Sequence, residues 1–363
     1  MKLTGAVSYH KVIFRDRTIK LFADLHNSTK GGCQVVNGLD IDNDYQKVGT
    51  DKSSYTLPRY MDKLFQEEMN FYFESPFVLR DPTKLVKADL EDLDYIDKLT
   101  AIYSQSLLKD KTKSSYMPKA HIHYIDIRDY YNTDFDSDGF RKAKSANPLS
   151  GSWIISELST KDDFHHGYNL IKFILDEAVD DIVQMCFSKT FSVPVYPMLT
   201  GTVAGKWLDR LHETSKLTSM LDGRRMHRVA KQLYKLSEGD REMILEWARK
   251  RLAAQKKISY LLLAEWKEAI EKGNIEKEEL AKGTLISELA RAPIMMLIPL
   301  SSIIMDVYTL ARMLYNKSPL DVVFAGLAHI ENYLDFFLSH DGEVVKHSEG
   351  ESNDQMRCLI VQD

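Results

Sequence analysis

Leu21-Phe22-Ala23-Asp24-Leu25-His26-Asn27-Ser28 is an apolar run that ends abruptly in an acid and a histidine. Short apolar runs of this kind read as buried strands. An Asp and a His just past such a strand stand where α/β folds put their chemistry, outside the carboxyl ends of the sheet. Far along the chain, Val322-Val323-Phe324-Ala325-Gly326-Leu327-Ala328-His329 repeats the form: an apolar strand, a small residue, two spacers and a His. Phe71-Tyr72-Phe73-Glu74-Ser75-Pro76 closes a third apolar run with a glutamate. Strand ends carrying His26, Glu74 and His329 point to one site built from distant parts of the chain.

Around these runs the chain alternates strand and helix patterns. Val7–Phe14 and Thr18–Phe22 flank Arg15-Asp16-Arg17 and predict a hairpin. Residues 27–56 are rich in Gly, Asn, Asp, Ser and Lys and read as a long loop. A helix is expected over Leu57–Glu68 and an amphipathic one over Asp89–Leu108, where Leu90, Leu93, Ile96, Leu99 and Ile102 keep helical spacing. His121-Ile122-His123-Tyr124-Ile125-Asp126-Ile127-Arg128 alternates as a strand, with Asp126 and Arg128 on one face. Residues 129–160 are polar and turn-rich. From 162 to 316 the pattern is almost wholly helical, with breaks near Pro194–Pro197, Gly223, Gly239 and Gly273. Asp240–Ile270 is its clearest helix, with Trp247 and Trp266 as packing anchors. Strand character returns at Asp321–Ala325, followed by a helix over Ile330–Leu338. The polar tail 339–363 reads as mobile to residue 356, with an edge strand at Cys358–Val361. The fold class expected is α/β: a mainly parallel central sheet flanked by helices, with a large helical insertion before the last core strand. Residues 1–363 are expected to form a single domain, with 162–316 packed against the sheet.

A chain of 363 residues can bury a sizeable core. Its 44% hydrophobic and 28% charged residues are ordinary for a globular protein. The net charge of −5 argues against bulk electrostatic attraction to nucleic acid or anionic membrane. Cys33, Cys186 and Cys358 have neither metal nor redox spacing. With no signal-like N-terminus, they point to a reducing, intracellular, cytoplasmic location. Ala292–Val307 is apolar but carries Pro293, Pro299 and Asp306, and reads as a buried helix rather than a membrane span.

Imidazole and carboxylate are ligands for zinc, manganese or cobalt ions, and equally general bases and acids without metal. His26, Glu74 and His329 are therefore candidate catalytic and metal-ligating residues, with Asp24 beside His26. Arg128 has two readings of equal weight. It is a cation that orients Glu74 or binds an anionic substrate group, or a structural partner of Asp126 or Asp306. His121 and His123 share a face but read as core or surface residues, and His165-His166 as exposed. Cys33 near His26 would need a contact that spacing cannot show. Gly31-Gly32 lacks the rest of a phosphate-loop pattern, and there is no Gly-x-Ser-x-Gly elbow. Arg224-Arg225-Met226-His227-Arg228 reads as a solvated helix face or a partner contact.

In its order of motifs the chain resembles the erythromycin esterase, ChaN and TraB/TIKI superfamily. There a glycine-x-x-histidine or glycine-glutamate-x-histidine motif follows the first strand. A strand-end glutamate, a helical middle and a second glycine-x-x-histidine motif come after it. Gly326-Leu327-Ala328-His329 fits the second motif fully. Ala23-Asp24-Leu25-His26 fits the first with Ala23 for glycine and Asp24 where some members have glutamate, and Phe73-Glu74-Ser75-Pro76 matches the glutamate segment. The arrangement covers roughly residues 12–338. Ile125–Arg128, Asp306–Met313 and Phe324–His329 also resemble uncharacterised members carried by large DNA viruses. The superfamily includes a macrolide lactone hydrolase, metal-dependent peptidases and haem-binding lipoproteins, so the likeness implies a fold and a site more than a substrate.

Two functions are therefore expected. One is a hydrolase of ester or peptide bonds with a His/Glu/His site, metal-dependent if a divalent ion (Zn, Mn or Co) is bound. Its partner would be a small-molecule ester or peptide, with no nucleic acid and no membrane span. The other is a catalytically silent structural or interaction protein, a virion component of a large DNA virus, with protein partners or a homo-oligomer. Ala23, the 27–56 loop and the acidic tail keep the second reading open.

Overall fold

A computed structural model describes residues 2–25, 54–56, 60–61, 64, 66–76, 119–127, 161–188, 223–272, 285–349 and 358–360. It resolves into two compact units, Met1–Asp126 with Met313–Asp363, and Ile127–Arg312.

The described residues of the first unit form nine strands: β1 (Lys2–Thr4), β2 (Ser8–Phe14), β3 (Arg17–Asp24), β4 (Ser54–Thr56), β5 (Met69–Pro76), β6 (Ala120–Asp126), β7 (Leu320–Gly326), β8 (Glu343–Glu349) and β9 (Cys358–Ile360). Six of them form one sheet in the order β6-β5-β7-β3-β2-β8, and β4-β1-β9 form a small second sheet. Strands β6, β5, β7 and β3 pair in parallel, while β2 runs antiparallel to both β3 and β8. The sheet is thus mixed rather than mainly parallel. Only Arg15 and Asp16 separate β2 from β3, and a turn that short forces antiparallel pairing.

The apolar runs are buried on both faces, as strands of a covered sheet must be. Tyr9, Phe22, Phe71, Phe73, Ile122, Val322 and Phe324 share one core with Tyr60, Met61 and Leu64. Tyr60, Met61 and Leu64 are helical, and Phe22 packs between Tyr9 and Tyr60 at 4.9 and 5.8 Å. The opposite face of the sheet is covered at β2, β3 and β7 by a helix, Leu327–Leu338, where Phe14 lies 5.1 Å from the Phe337 ring.

The polar stretch after residue 339 is a correction to the sequence reading. Glu343–Glu349 is a strand that pairs along β2, with alternating exposed and half-buried residues. Polar alternation on an edge strand looks like a tail because only one face needs apolar residues. The expected strand at the C-terminus is present as Cys358–Ile360, paired with β1. Ser54–Thr56, inside the expected long loop, pairs with β1 on its other side. The expected helix over Asp89–Leu108 lies outside the described residues.

The described residues of the second unit are mostly helical: α1 (Lys161–Phe173) continues through a π turn (Ile174–Ala178) into α2 (Val179–Phe187), followed by α3 (Gly223–Leu233), α4 (Glu238–Lys272) and α5 (Leu285–Tyr315). The last residues of α5, from Met313, fall in the first unit. We number the helix Leu327–Leu338 α6. Ser237 caps α4: its Oγ accepts a hydrogen bond from the Asp240 N–H (3.2 Å) and donates to the Asp240 carboxylate (2.8 Å). The break expected near Gly239 falls at residues 234–237, between α3 and α4, and Gly239 itself lies in the first turn behind this cap. Trp247 and Trp266 are buried, the latter 6.0 Å from Phe164 of α1. Ser259 Oγ donates to Met296 O of α5 (2.7 Å).

Helix α5 runs unbroken through Pro293 and Pro299. Each proline costs about 3 kcal/mol in a helix interior. Burial of Met296, Leu297, Leu300, Ile303, Ile304 and Val307 outweighs that. Met295–Tyr315 is long and apolar enough by length and composition to cross a membrane, yet most of its residues are buried within the fold.

Two glycines make opposite predictions. A Cβ on Gly342 would stand 2.6 Å from Phe337 O, the carbonyl that accepts the Gly342 N–H at 2.8 Å. Gly342→Ala is expected to cost about 1–3 kcal/mol through that overlap. A Cβ on Gly239 meets nothing within 4 Å, so Gly239→Ala should gain about 0.4–1 kcal/mol by restricting the unfolded chain. Urea midpoints check both, and equal shifts would refute the steric account.

Candidate functional site

The parallel register decides which strand ends meet. Asp24 on β3 is the Cα partner of Gly326 on β7, and Phe73 on β5 is the partner of Phe324. The carboxyl ends of β5, β7 and β3 therefore form one continuous edge, with β7 in the middle. Gly326 ends β7 and caps the N-terminus of α6, so His329 sits in the first turn of that helix. This is the physical content of the Gly-x-x-His spacing: three residues span one turn, which returns the His side chain to the end of the helix where the cap N–H points.

Glu74 meets both ends of that turn. Its Oε2 accepts a hydrogen bond from the Gly326 N–H at 2.6 Å, and its Oε1 lies 3.7 Å from His329 Nε2. Glu74 is 2% exposed and His329 7%. A carboxylate at a helix N-terminus is favoured by the helix dipole as well as by the hydrogen bond. The His329 ring stacks along α6 on Tyr333, with centroids 6.4 Å apart, which limits its rotation.

Glu74 and His329 are brought together; the other candidates are placed differently. Asp24 is fully buried, but strand alternation puts it on the Phe22 face of the sheet, opposite to Glu74, which follows Phe73 of that same core. His26, Arg128 and Cys33 lie outside the described residues. Among the described residues no group of three or more His, Cys, Asp or Glu is placed to hold a metal ion. His123 is buried and His121 exposed, while His165 is half-buried. Cys186 is free and buried, and burial pushes its thiol pKa up, so it is inert as a nucleophile.

Sequence reasoning missed a second buried cluster at the other edge of the sheet. Arg17 at the start of β3 forms an ion pair with Asp321 at the start of β7. Its Nη1 and Nε also donate to Met313 O (2.8 Å) and Ser318 O (3.2 Å). Asn70 of β5 donates through Nδ2 to Asp321 Oδ1 (2.9 Å) and Asn316 O (3.0 Å). Its Oδ1 is therefore left as an acceptor, and His123 Nε2, 3.1 Å away, must carry a proton. The signal available was an acid opening an otherwise apolar strand, Asp321, and an arginine opening another. These ends are the amino edge of the parallel strands, where α/β folds place stability rather than chemistry.

The fold and site define an α/β protein with a buried carboxylate–imidazole pair at the carboxyl edge of its parallel strands. No family model, curated protein or solved structure matches the chain.

Proposed function

We propose that the chain is a hydrolase of ester or peptide bonds whose working groups are Glu74 and His329. The observation that carries this reading is the pairing of a buried carboxylate with a buried imidazole at a separation, 3.7 Å, too long for a hydrogen bond. At that separation the two groups form an ion pair when His329 is protonated. The Gly326 N–H occupies Oε2, so Oε1 faces His329 Nε2.

In hydrolysis, His329 Nε2 takes a proton from the attacking water, and the neighbouring Glu74 carboxylate stabilises the imidazolium that forms. That proton then passes to the departing alkoxide or amine. The same two atoms fit a divalent ion. Two donors about 2.1 Å from a common centre and 3.7 Å apart subtend about 120°, within reach of tetrahedral geometry. Bound there, the ion would supply Lewis acidity toward the water and the carbonyl oxygen. His26, two residues beyond the end of β3 in sequence, is proposed as the third donor. Asp24 is given no part, because it belongs to the opposite face.

The purified chain should be assayed against chromogenic carboxylic esters and fluorogenic peptides, with metal analysis and a chelator control. Hydrolysis lost in Glu74→Gln supports the reading, and chelator sensitivity assigns the ion. Hydrolysis unchanged in Glu74→Gln, or none in the wild type with or without added Zn, Mn or Co, would leave Glu74 as a brace between β5 and β7.

A further inference from the structure

We propose a second metal site in the first unit: His10 and His347 form a cis pair of imidazole ligands for a tetragonal divalent ion of the Cu(II) or Ni(II) class. The proposal is independent of the Glu74–His329 reading. His10 on β2 and His347 on β8 are direct cross-strand partners. Their Nδ1 atoms lie 2.9 Å apart and their ring centroids 4.5 Å apart. The ring planes are tilted 32° to each other. A linear N–H···N bond of the same length would hold the centroids about 5.2 Å apart, since each nitrogen lies about 1.15 Å from its ring centre. The shorter centroid distance means the two nitrogens do not face each other head-on.

An ion about 2.05 Å from each nitrogen with a right-angled bite reproduces both spacings, about 2.9 Å between nitrogens and about 4.5 Å between centroids. A tetrahedral bite would require about 3.3 Å and more than 5 Å. Right angles between nitrogen ligands are the preference of Cu(II) and Ni(II), not of zinc. The outer shell fits as well. Glu349 Oε1 lies 3.2 Å from His347 Nε2. A carboxylate only accepts, so Nε2 carries the proton and Nδ1 presents its lone pair toward His10, the usual carboxylate–histidine–metal arrangement.

Burial, the nearby His347 and, in the opposite direction, Glu349 set His10, whose pKa is lowered to about 4. Leu21, its β3 neighbour in register, is uncharged. The His347 side chain is 44% exposed and Glu349 71%, so an ion reaches the pair from solvent and water completes its coordination.

The test uses the full chain and Cu(II) alone. Wild type should bind one equivalent at this site, with an axial EPR spectrum showing coupling to two imidazole nitrogens, and its Tm should rise with added Cu(II). His347→Ala, on an exposed edge, should keep its far-UV CD and lose the two-nitrogen signal. Glu349→Gln should weaken binding about tenfold. His329→Ala should leave the signal intact, which separates this site from the Glu74 pair. Equal Cu(II) binding in wild type and His347→Ala, or in wild type and Glu349→Gln should His347→Ala not fold, would overturn the proposal. So would a wild-type spectrum without two coupled nitrogens. The pair would then be a cross-strand hydrogen bond only.

Discussion

Asp321→Ala is expected to lose about 3–5 kcal/mol of folding stability, the cost of leaving a buried charge without its partner. Asp321 is fully buried and Arg17 is 8% exposed. The guanidinium also holds carbonyls at the end of α5 and in the turn before β7, so it cannot swing out to water without releasing them. Asn70 would lose an acceptor at the same time, and through its Oδ1 the effect reaches His123 on β6. One carboxylate thus ties β3, β5 and β6 to β7. Asp321→Asn keeps the shape but removes the charge and should fall between wild type and Asp321→Ala. Replacing both partners, Arg17→Met with Asp321→Leu, should recover part of the loss, since two apolar groups leave no stranded ion. Urea unfolding with a constant m-value measures each. A loss under about 1 kcal/mol for Asp321→Ala would mean that water reaches the pair.

The second large effect is on rate. His329→Ala should lower hydrolysis about 10²–10⁴-fold, the usual contribution of a positioned acid–base group. The fold should survive, because His329 occupies the first turn of α6 and the buried anchors of that helix are Ile330, Tyr333, Phe336 and Phe337. Glu74→Gln should reduce the rate by a comparable factor for a different reason. It removes the charge that stabilises the imidazolium, while a neutral amide oxygen still accepts the Gly326 N–H. Combining the two should cost little more than either alone, since both act on one proton transfer. Fully multiplicative losses would show that the residues do not work as a unit. A drop in far-UV CD for His329→Ala would assign it to packing.

Several parts of this protein were legible in its sequence because they depend on local pattern. The apolar runs at Leu21, Phe71 and Val322 read as buried strands, and they lie side by side in one sheet. Arg15-Asp16 between two alternating segments fixed the hairpin. The periodicity of 240–270, with Trp247 and Trp266 inward, fixed the longest helix. Gly326 and His329 stood out because a three-residue step across a strand–helix junction has one geometric meaning.

What the sequence left open is what depends on register and on the far side of a residue. That Glu74 faces the Gly326 N–H follows from β5 pairing with β7, a choice made between segments some 250 positions apart. Asp24 lies next to the motif in sequence but on the other face of the sheet, since the pleat turns successive side chains opposite ways. The polar stretch Glu343–Glu349 became an edge strand because β2 had an unpaired edge to fill, a demand its own composition does not announce. Arg17 with Asp321, and His10 with His347, are ordinary polar residues in isolation. Residue identity alone determines which side chains can ionise or ligate; only the tertiary pairing of strands decided which of them share a dry or directed contact, because that contact is made across the sheet and not along the chain.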